Sequence, residues 1–397
     1  MNRRFFLRGL SVLGCSAAAH PMMTSITMAQ SPSLGDQRLL VIILRGAMDG
    51  LQAVSPVGDK LFATYRPHLT AASKTLDLDG YFALSADLGG LMDLWGRKQL
   101  AFAHAVSTPY RDKRSHFEGQ DMLEAGTGMD VPVAAVRDGW LNRMLQAMPG
   151  LDSETAYAVG GEALPLLSGR APTRSWTPDQ RLDLSAQSKL LLEHIYHDHP
   201  LFQVSATEAM ELAAEIDLGT GLAQPAADST RQTAEFDHLA DFAADRLRGA
   251  TRIAAFSLSG WDTHQAEQTA FTVPANRLER MILRLRDQLG PVWDKTTILA
   301  VTEFGRTVAE NGTKGTDHGT AGVMLMAGGA IHGGKVMGKW PGLDEASLYD
   351  RRDLMPTSDV RAWAAWVMRD LYGFDRQVLE TAIFPGLQMG TDPGIFA

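Results

Sequence analysis

A chain of 397 residues with 45% apolar and 21% charged side chains has the composition of a globular protein and excludes a largely disordered one. Its net charge of -9 gives no general electrostatic reason to bind nucleic acid or an anionic membrane surface. The single cysteine, Cys15, excludes an internal disulfide and a cysteine-ligated metal, so any metal site must be built from His, Asp and Glu.

Residues 1–29 carry Arg3, Arg4 and Arg8 and no acid, then a short apolar run over 9–19 and small residues up to Ala29. This pattern reads as a twin-arginine export signal, which predicts a periplasmic or secreted protein with the twin-arginine translocation machinery as a partner. A plain basic tail and a lipoprotein signal at Cys15 are the alternatives, the latter with Val12 where Leu is usual. The apolar run is too short to span a bilayer stably as a helix. A single domain is expected over 36–388.

Six runs read as buried strands, at 38–46, 99–106, 156–161, 252–260, 296–305 and 322–329. They are nearly continuous in apolar residues, the pattern of a sheet covered on both faces. Helical periodicity falls at 87–97, 116–125, 139–147, 183–197, 205–215, 230–247, 266–288 and 359–372. The alternation predicts an α/β fold, a three-layer sandwich around a mostly parallel central sheet. The stretch 165–250 lacks convincing strands and predicts a helical insertion. "MAGGAIHGGKVMG" reads as a turn between strands, and no P-loop, GxGxxG or GxSxG occurs.

Ligands of an open parallel sheet gather beyond the carboxyl ends of its strands. The first run leads to Asp49, the fourth to Asp262 and His264 in "SGWDTH", and the fifth to Glu303 in "TEFGRT"; "GTKGTDHGT" then supplies Asp317 and His318. These side chains suit one or two divalent ions, Zn, Mn, Mg or Ca. Each also has a plainer role: Asp49 in a turn, Asp262 as a helix cap, Glu303 paired with Arg306, Asp317 and His318 in a loop.

Ser115 to Glu118 spell a capping box, so Ser115 is either the N-cap of the helix at 116–125 or, at that anion-favouring position, a nucleophile. His116 is a candidate ligand or acid/base group with no partner identifiable by spacing. Arg111, beside Lys113 and Arg114, is placed to attract an anionic substrate, or lies in a solvated loop. "HIYHDHP", with His194, His197 and His199, reads as a surface helix end with adventitious metal affinity.

Taken together, "LRGAMDGL", "TPYRDKRSHFEGQD", "DGWLNR", "GWDTH", "TEFGRTVAENGTKGTDHG" and "KWPGL" resemble the bacterial family known as domain of unknown function 1501, over about 36–375. That family is grouped by similarity with the alkaline phosphatase and sulfatase superfamily, which implies an alkaline-phosphatase-like fold with metals at the strand exits. The resemblance implies Ser115 as nucleophile, Asp262, His264 and His318 around one metal, and Asp49 and Glu303 at a second. The superfamily carries Asp-His where this chain has Glu303-Phe304. The expected function is an exported metal-dependent hydrolase of a phosphate or sulfate ester, small or polymeric, with Arg111 and Arg306 meeting the anion. The alternative is a non-catalytic relative that binds metal or carbohydrate, or serves in assembly.

Overall fold

The computed structural model describes residues 34–131, 136, 138–148, 150–178 and 228–396. The expected export signal, the helical periods at 183–197 and 205–215, and His194, His197 and His199 lie outside the described residues.

A nine-stranded sheet organises the rest. Its strands are β1 (Arg38–Leu44), β2 (Leu100–Ser107), β3 (Ala156–Val159), β4 (Arg174–Trp176), β5 (Ile253–Leu258), β6 (Thr296–Val301), β7 (Gly322–Ala327), β8 (Lys335–Met337) and β9 (Ser358–Asp359). The order is β8-β2-β7-β6-β1-β5-β3-β4, with β9 also paired to β2. All pairings are parallel except those of β7, which runs antiparallel to β2 and β6. The reversal follows from the connection: no helix lies between β6 and β7, so the chain returns beside its own strand instead of crossing over the sheet. The expected mostly parallel sheet is therefore present, with one reversed strand inside it.

β1 is buried along its whole length, and its side chains alternate between two cores. Leu39, Val41 and Ile43 face the layer that contains Trp140, Leu141 and Met144 of α3 (Trp140–Gln146) and Trp363, Val367 and Met368 of α6 (Val360–Tyr372). Leu40, Ile42 and Leu44 face Leu239 and Ala243 of α4 (Asp228–Arg248) and Phe271, Leu278, Ile282 and Leu285 of α5 (Glu267–Leu289). The three layers follow from a central strand that is apolar at consecutive positions. α4 and α5 are further tied by Arg280 on Asp237 and by Arg284 Nε on Asp241 Oδ1 at 2.6 Å.

Two parts differ from the expected elements. Val54–Ser55, Thr75–Asp77 and Ala83–Ser85 form a separate small antiparallel sheet, each strand too short to carry a period in sequence. β4 lies inside the stretch 165–250, where no strand was expected; it is a three-residue edge strand on β3. No helix among the described residues is long and apolar enough to cross a membrane.

Candidate metal centre

The exits of β5 and β6 and the approach to β7 meet at one end of the sheet. After β5 the chain turns through Gly260 and the fully buried Trp261, which delivers Asp262 and His264 to the surface. The β1 exit loop lies directly against this turn: a Cβ on Gly46, which has φ +113°, would sit 2.6 Å from the Asp262 nitrogen. The loop before β7 packs as closely, since a Cβ on Gly315 would meet the His264 carbonyl oxygen at 2.2 Å. Both glycines are required by backbone approach, and together they bring Asp317 and His318 to Asp262 and His264.

Three imidazoles turn one edge to the same carboxylate oxygen. From Asp262 Oδ1, His264 Nε2 lies at 3.1 Å, His318 Nε2 at 3.3 Å and His116 Nε2 at 3.5 Å. His264 Nε2 and His318 Nε2 are 2.9 Å apart. The ligand atoms of His116, Asp262 and His318 all lie within 4.8 Å of one another, the one such group of three or more among the described residues. His116 Nε2 is buried and has no hydrogen-bond partner.

The opposite ring edges are all held by acceptors. His116 Nδ1 bonds Glu303 Oε1 at 2.7 Å, His264 Nδ1 bonds Asp317 Oδ1 at 3.2 Å, and His318 Nδ1 bonds the Arg114 carbonyl at 2.8 Å. A carbonyl or carboxylate oxygen only accepts, so a ring that is protonated at Nδ1 alone turns a bare Nε2 to the cluster. α2 (His116–Ala125) positions the first ring, which stacks on Phe304 with centroids 5.2 Å apart.

Glu303 is fully buried just past the end of β6. Its Oε1 accepts from Gly46 N at 2.9 Å and Gln120 Nε2 at 3.1 Å as well as from His116, and its Oε2 lies 3.0 Å from Thr302 Oγ1. Burial pushes its carboxyl up, but these bonds, His116's first, hold it below the ordinary value. The same bond raises the His116 imidazole, while burial lowers that of His318. For Asp262, burial acts upward and is outweighed by the Arg306 hydrogen bond and charge, so its carboxyl is lowered.

Asp262, His264 and His318 lie together, and His116 joins them through Asp262 Oδ1. Glu303 and Asp317 stand behind them, each holding an imidazole from the far edge. Asp49 does not join them. It caps α1 (Gly50–Ala53), accepting from Leu51 N at 2.9 Å and Gln52 N at 3.2 Å, and pairs in the core with Arg66, Nη1 to Oδ2 at 2.5 Å. A second ion held by Asp49 and Glu303 thus has no shared ligand set, because each carboxylate is enclosed by its own donors.

Arg306 is not free to meet an anion. Its guanidinium is fully buried and bonds Ala47 O at 2.8 Å, Gly46 O at 2.8 Å, Trp261 O at 3.0 Å, Thr316 O at 3.2 Å and Asp262 Oδ1 at 2.6 Å. It ties the three exit loops together. The capping box at Ser115 does not form: Ser115 is the N-cap residue of α2 but its side chain makes no cap bond, and Glu118 instead pairs with Lys113 at 3.2 Å. Arg111 Nη1 is folded back onto Ser107 Oγ at 3.0 Å and the Thr108 and Tyr110 carbonyls. Arg114, whose side chain is 44% exposed, is the more available cation beside His318. Sequence alone left His116 without a partner because Glu303 lies 187 residues away.

The family described as "Protein of unknown function (DUF1501)" matches residues 106–362, well over half of the chain. No curated protein matches it. Among solved structures it is similar to Ps i-CgsB in complex with k-i-k-neocarrahexaose, at 13% identity over 86% of this chain and 74% of that one, TM-score 0.39. It is also similar to the C-terminal periplasmic domain of EcEptC from Escherichia coli in complex with Zn, at 11% identity over 75% and 74% of the two chains, TM-score 0.37. A third is a protein in the alkaline phosphatase superfamily from Vibrio parahaemolyticus, at 12% identity over 77% and 64%, TM-score 0.36.

Proposed function

We propose that this chain, which belongs to the DUF1501 family, is an exported hydrolase of a phosphate or sulfate ester built around a single divalent metal ion. The ion would sit among His116, Asp262 and His318, whose ligand atoms lie within 4.8 Å of one another, with His264 Nε2 beside Asp262 and His318. One observation carries the reading: two ring nitrogens 2.9 Å apart, both within 3.3 Å of one carboxylate oxygen, form a compact donor set of the kind a divalent cation takes. The 3.3 Å from His318 and the 3.5 Å from His116 to Asp262 Oδ1 lie near the spacing of about 3.3 Å expected between neighbouring ligands 2.0–2.1 Å from zinc. Three imidazoles and one carboxylate suit zinc by donor type as well.

When bound, such an ion polarises an ester oxygen and lowers the pKa of a water molecule. The protein's own groups supply the rest. Glu303 orients the His116 ring, Arg306 fixes Asp262 and the exit loops, and Arg114, whose carbonyl holds His318, is the exposed cation beside the site. Ser115, at the start of α2 with no cap bond on its hydroxyl, is the candidate nucleophile.

Metal analysis of the purified protein after incubation with Zn, Mn and Ca, together with turnover of an aryl phosphate and an aryl sulfate, tests this. One ion per chain and turnover lost in Asp262→Ala are expected. A folded protein that takes up no divalent ion overturns the reading. The second reading is a non-catalytic metal- or carbohydrate-binding or assembly protein. It is favoured by the enclosure of Asp49 and Glu303, which leaves one ligand group among the described residues. Bound metal without turnover of either ester would select it. Residues 1–29 would direct export through the twin-arginine route; the double change Arg3→Lys with Arg4→Lys should then retain the protein in the cytoplasm.

A further inference from the structure

Beneath the cluster lies a second polar network that touches none of its ring nitrogens. Glu267, the first residue of α5, is fully buried. Its Oε2 accepts from Thr316 Oγ1 at 2.8 Å, and burial, with the neighbouring Asp49 charge, pushes its carboxyl well up. Asp49 in turn is held by Arg66, which is 0% exposed and bonds the carbonyls of Thr307 at 2.7 Å and Val308 at 2.8 Å.

Two carboxyl groups thus share one guanidinium in the core, since the Arg306 charge is engaged by Asp262. A second carboxylate there would be an unpaired buried charge, costing several kcal/mol. Asp49 Oδ1 already accepts from two backbone N–H groups and Arg66 Nη2, the pattern of the ionised partner. Glu267 Oε1 is buried with no donor facing it, the pattern of the oxygen that carries the proton. Glu267 thus accepts from Thr316 through Oε2, while its Oε1 faces no donor.

Thr316 links the two segments of the centre. Its N–H donates to the Thr263 carbonyl at 3.2 Å, between Asp262 and His264, and its own carbonyl accepts from Arg306 Nη1 at 3.2 Å; the next two residues are Asp317 and His318. The backbone adds to this, with Ala266 N on Thr313 O at 3.1 Å and Glu267 N on Lys314 O at 2.9 Å. We infer that Glu267 is a positioning residue for the metal centre: through the Thr316 hydroxyl it sets the register of the 313–318 loop against 262–264, and so the approach of His318 to His264. The inference rests on the metal reading only for the ion that reports it.

Zinc titration of the metal-free protein and of Thr316→Val, Glu267→Ala and Glu267→Gln tests it. Loss of the Thr316 bond should weaken zinc binding by about tenfold or more in Thr316→Val and Glu267→Ala. Glu267→Gln should bind within about threefold of the wild type, because the amide oxygen still accepts from Thr316. Wild-type affinity in Thr316→Val, or a Gln variant as weak as the Ala variant, overturns the inference. Imidazole nitrogen spectra of the metal-free proteins read the same contact without zinc: Thr316→Val should shift His264 and His318 and leave His104 in place. Unmoved His264 and His318 resonances also overturn it. If the wild type takes up no zinc, the metal reading falls while the spectra still decide the role of Glu267.

Discussion

His264 and His318 meet through their Nε2 atoms at 2.9 Å, and the same two atoms lie 3.1 and 3.3 Å from Asp262 Oδ1. With each Nδ1 facing an acceptor, a ring protonated there alone offers its Nε2 lone pair to this triangle. His318→Ala should therefore lower zinc affinity by more than the tenfold to hundredfold typical of groups behind a metal ligand. Calorimetric titration reads this directly. A chelator should lower the melting temperature of the wild type but not of His318→Ala, since at a hundred times Kd a bound ion adds about 2.7 kcal/mol.

Glu303→Gln tests the group behind His116. The amide keeps the shape but turns a donor towards Gly46 N, Gln120 Nε2 or His116, leaving a buried donor without an acceptor at a cost of about 1–3 kcal/mol. Zinc affinity should fall by about ten- to a hundredfold. An unchanged affinity with reduced stability would limit Glu303 to a structural part.

His104 gives a stability signature in mild acid. It is fully buried, donates through Nε2 to Val54 O at 2.9 Å, and accepts through Nδ1 from Ala105 N at 2.9 Å. Burial lowers its imidazole from 6.5 to about 4. Between those values the unfolded chain binds a proton that the folded chain does not. Stability from this group is therefore complete above pH 6.5 and declines as pH falls towards 4, by about 3 kcal/mol in full. Urea unfolding at pH 7 and pH 5 should show a smaller loss in His104→Gln than in the wild type; equal losses would show that the ring does not remain neutral.

Arg66→Met and Arg284→Ala separate buried from surface ion pairs. The first leaves the Asp49 carboxylate enclosed without its cation and should cost about 3–5 kcal/mol. The second removes a partly exposed pair with Asp241 and should cost about 1 kcal/mol or less. Denaturant midpoints compare the two, and similar shifts would contradict the burial argument.

The layered fold was legible because its strands are long and apolar at successive positions. β1 is an example: a run from 38 to 46 with no polar alternation between Leu39 and Leu44 has no exposed face. The small sheet at 54–85 and the edge strand at 174–176 are two to three residues per strand, below the length at which a period exists. Asp262, His264 and His318 could be read from strand exits and glycine loops. Asp49 could not be told from them, because its environment is set by Arg66 and Glu267, which sequence separation hides. Arg306 looked like an anion receptor because a lone arginine in a motif shows its charge and not the five backbone and side-chain oxygens that enclose it.

The position of β1 also bears on how the chain is made. It is the earliest strand of the sheet in sequence, yet it sits between β5 and β6, whose residues run from 253 to 301. During synthesis at roughly 5–20 residues per second, its apolar edge waits on the order of 10 to 50 s before either neighbour exists. Both of its hydrogen-bonding edges stay open to other chains for that time, so residues 38–44 are an aggregation-prone edge of the nascent chain until residues 253–301 have been made.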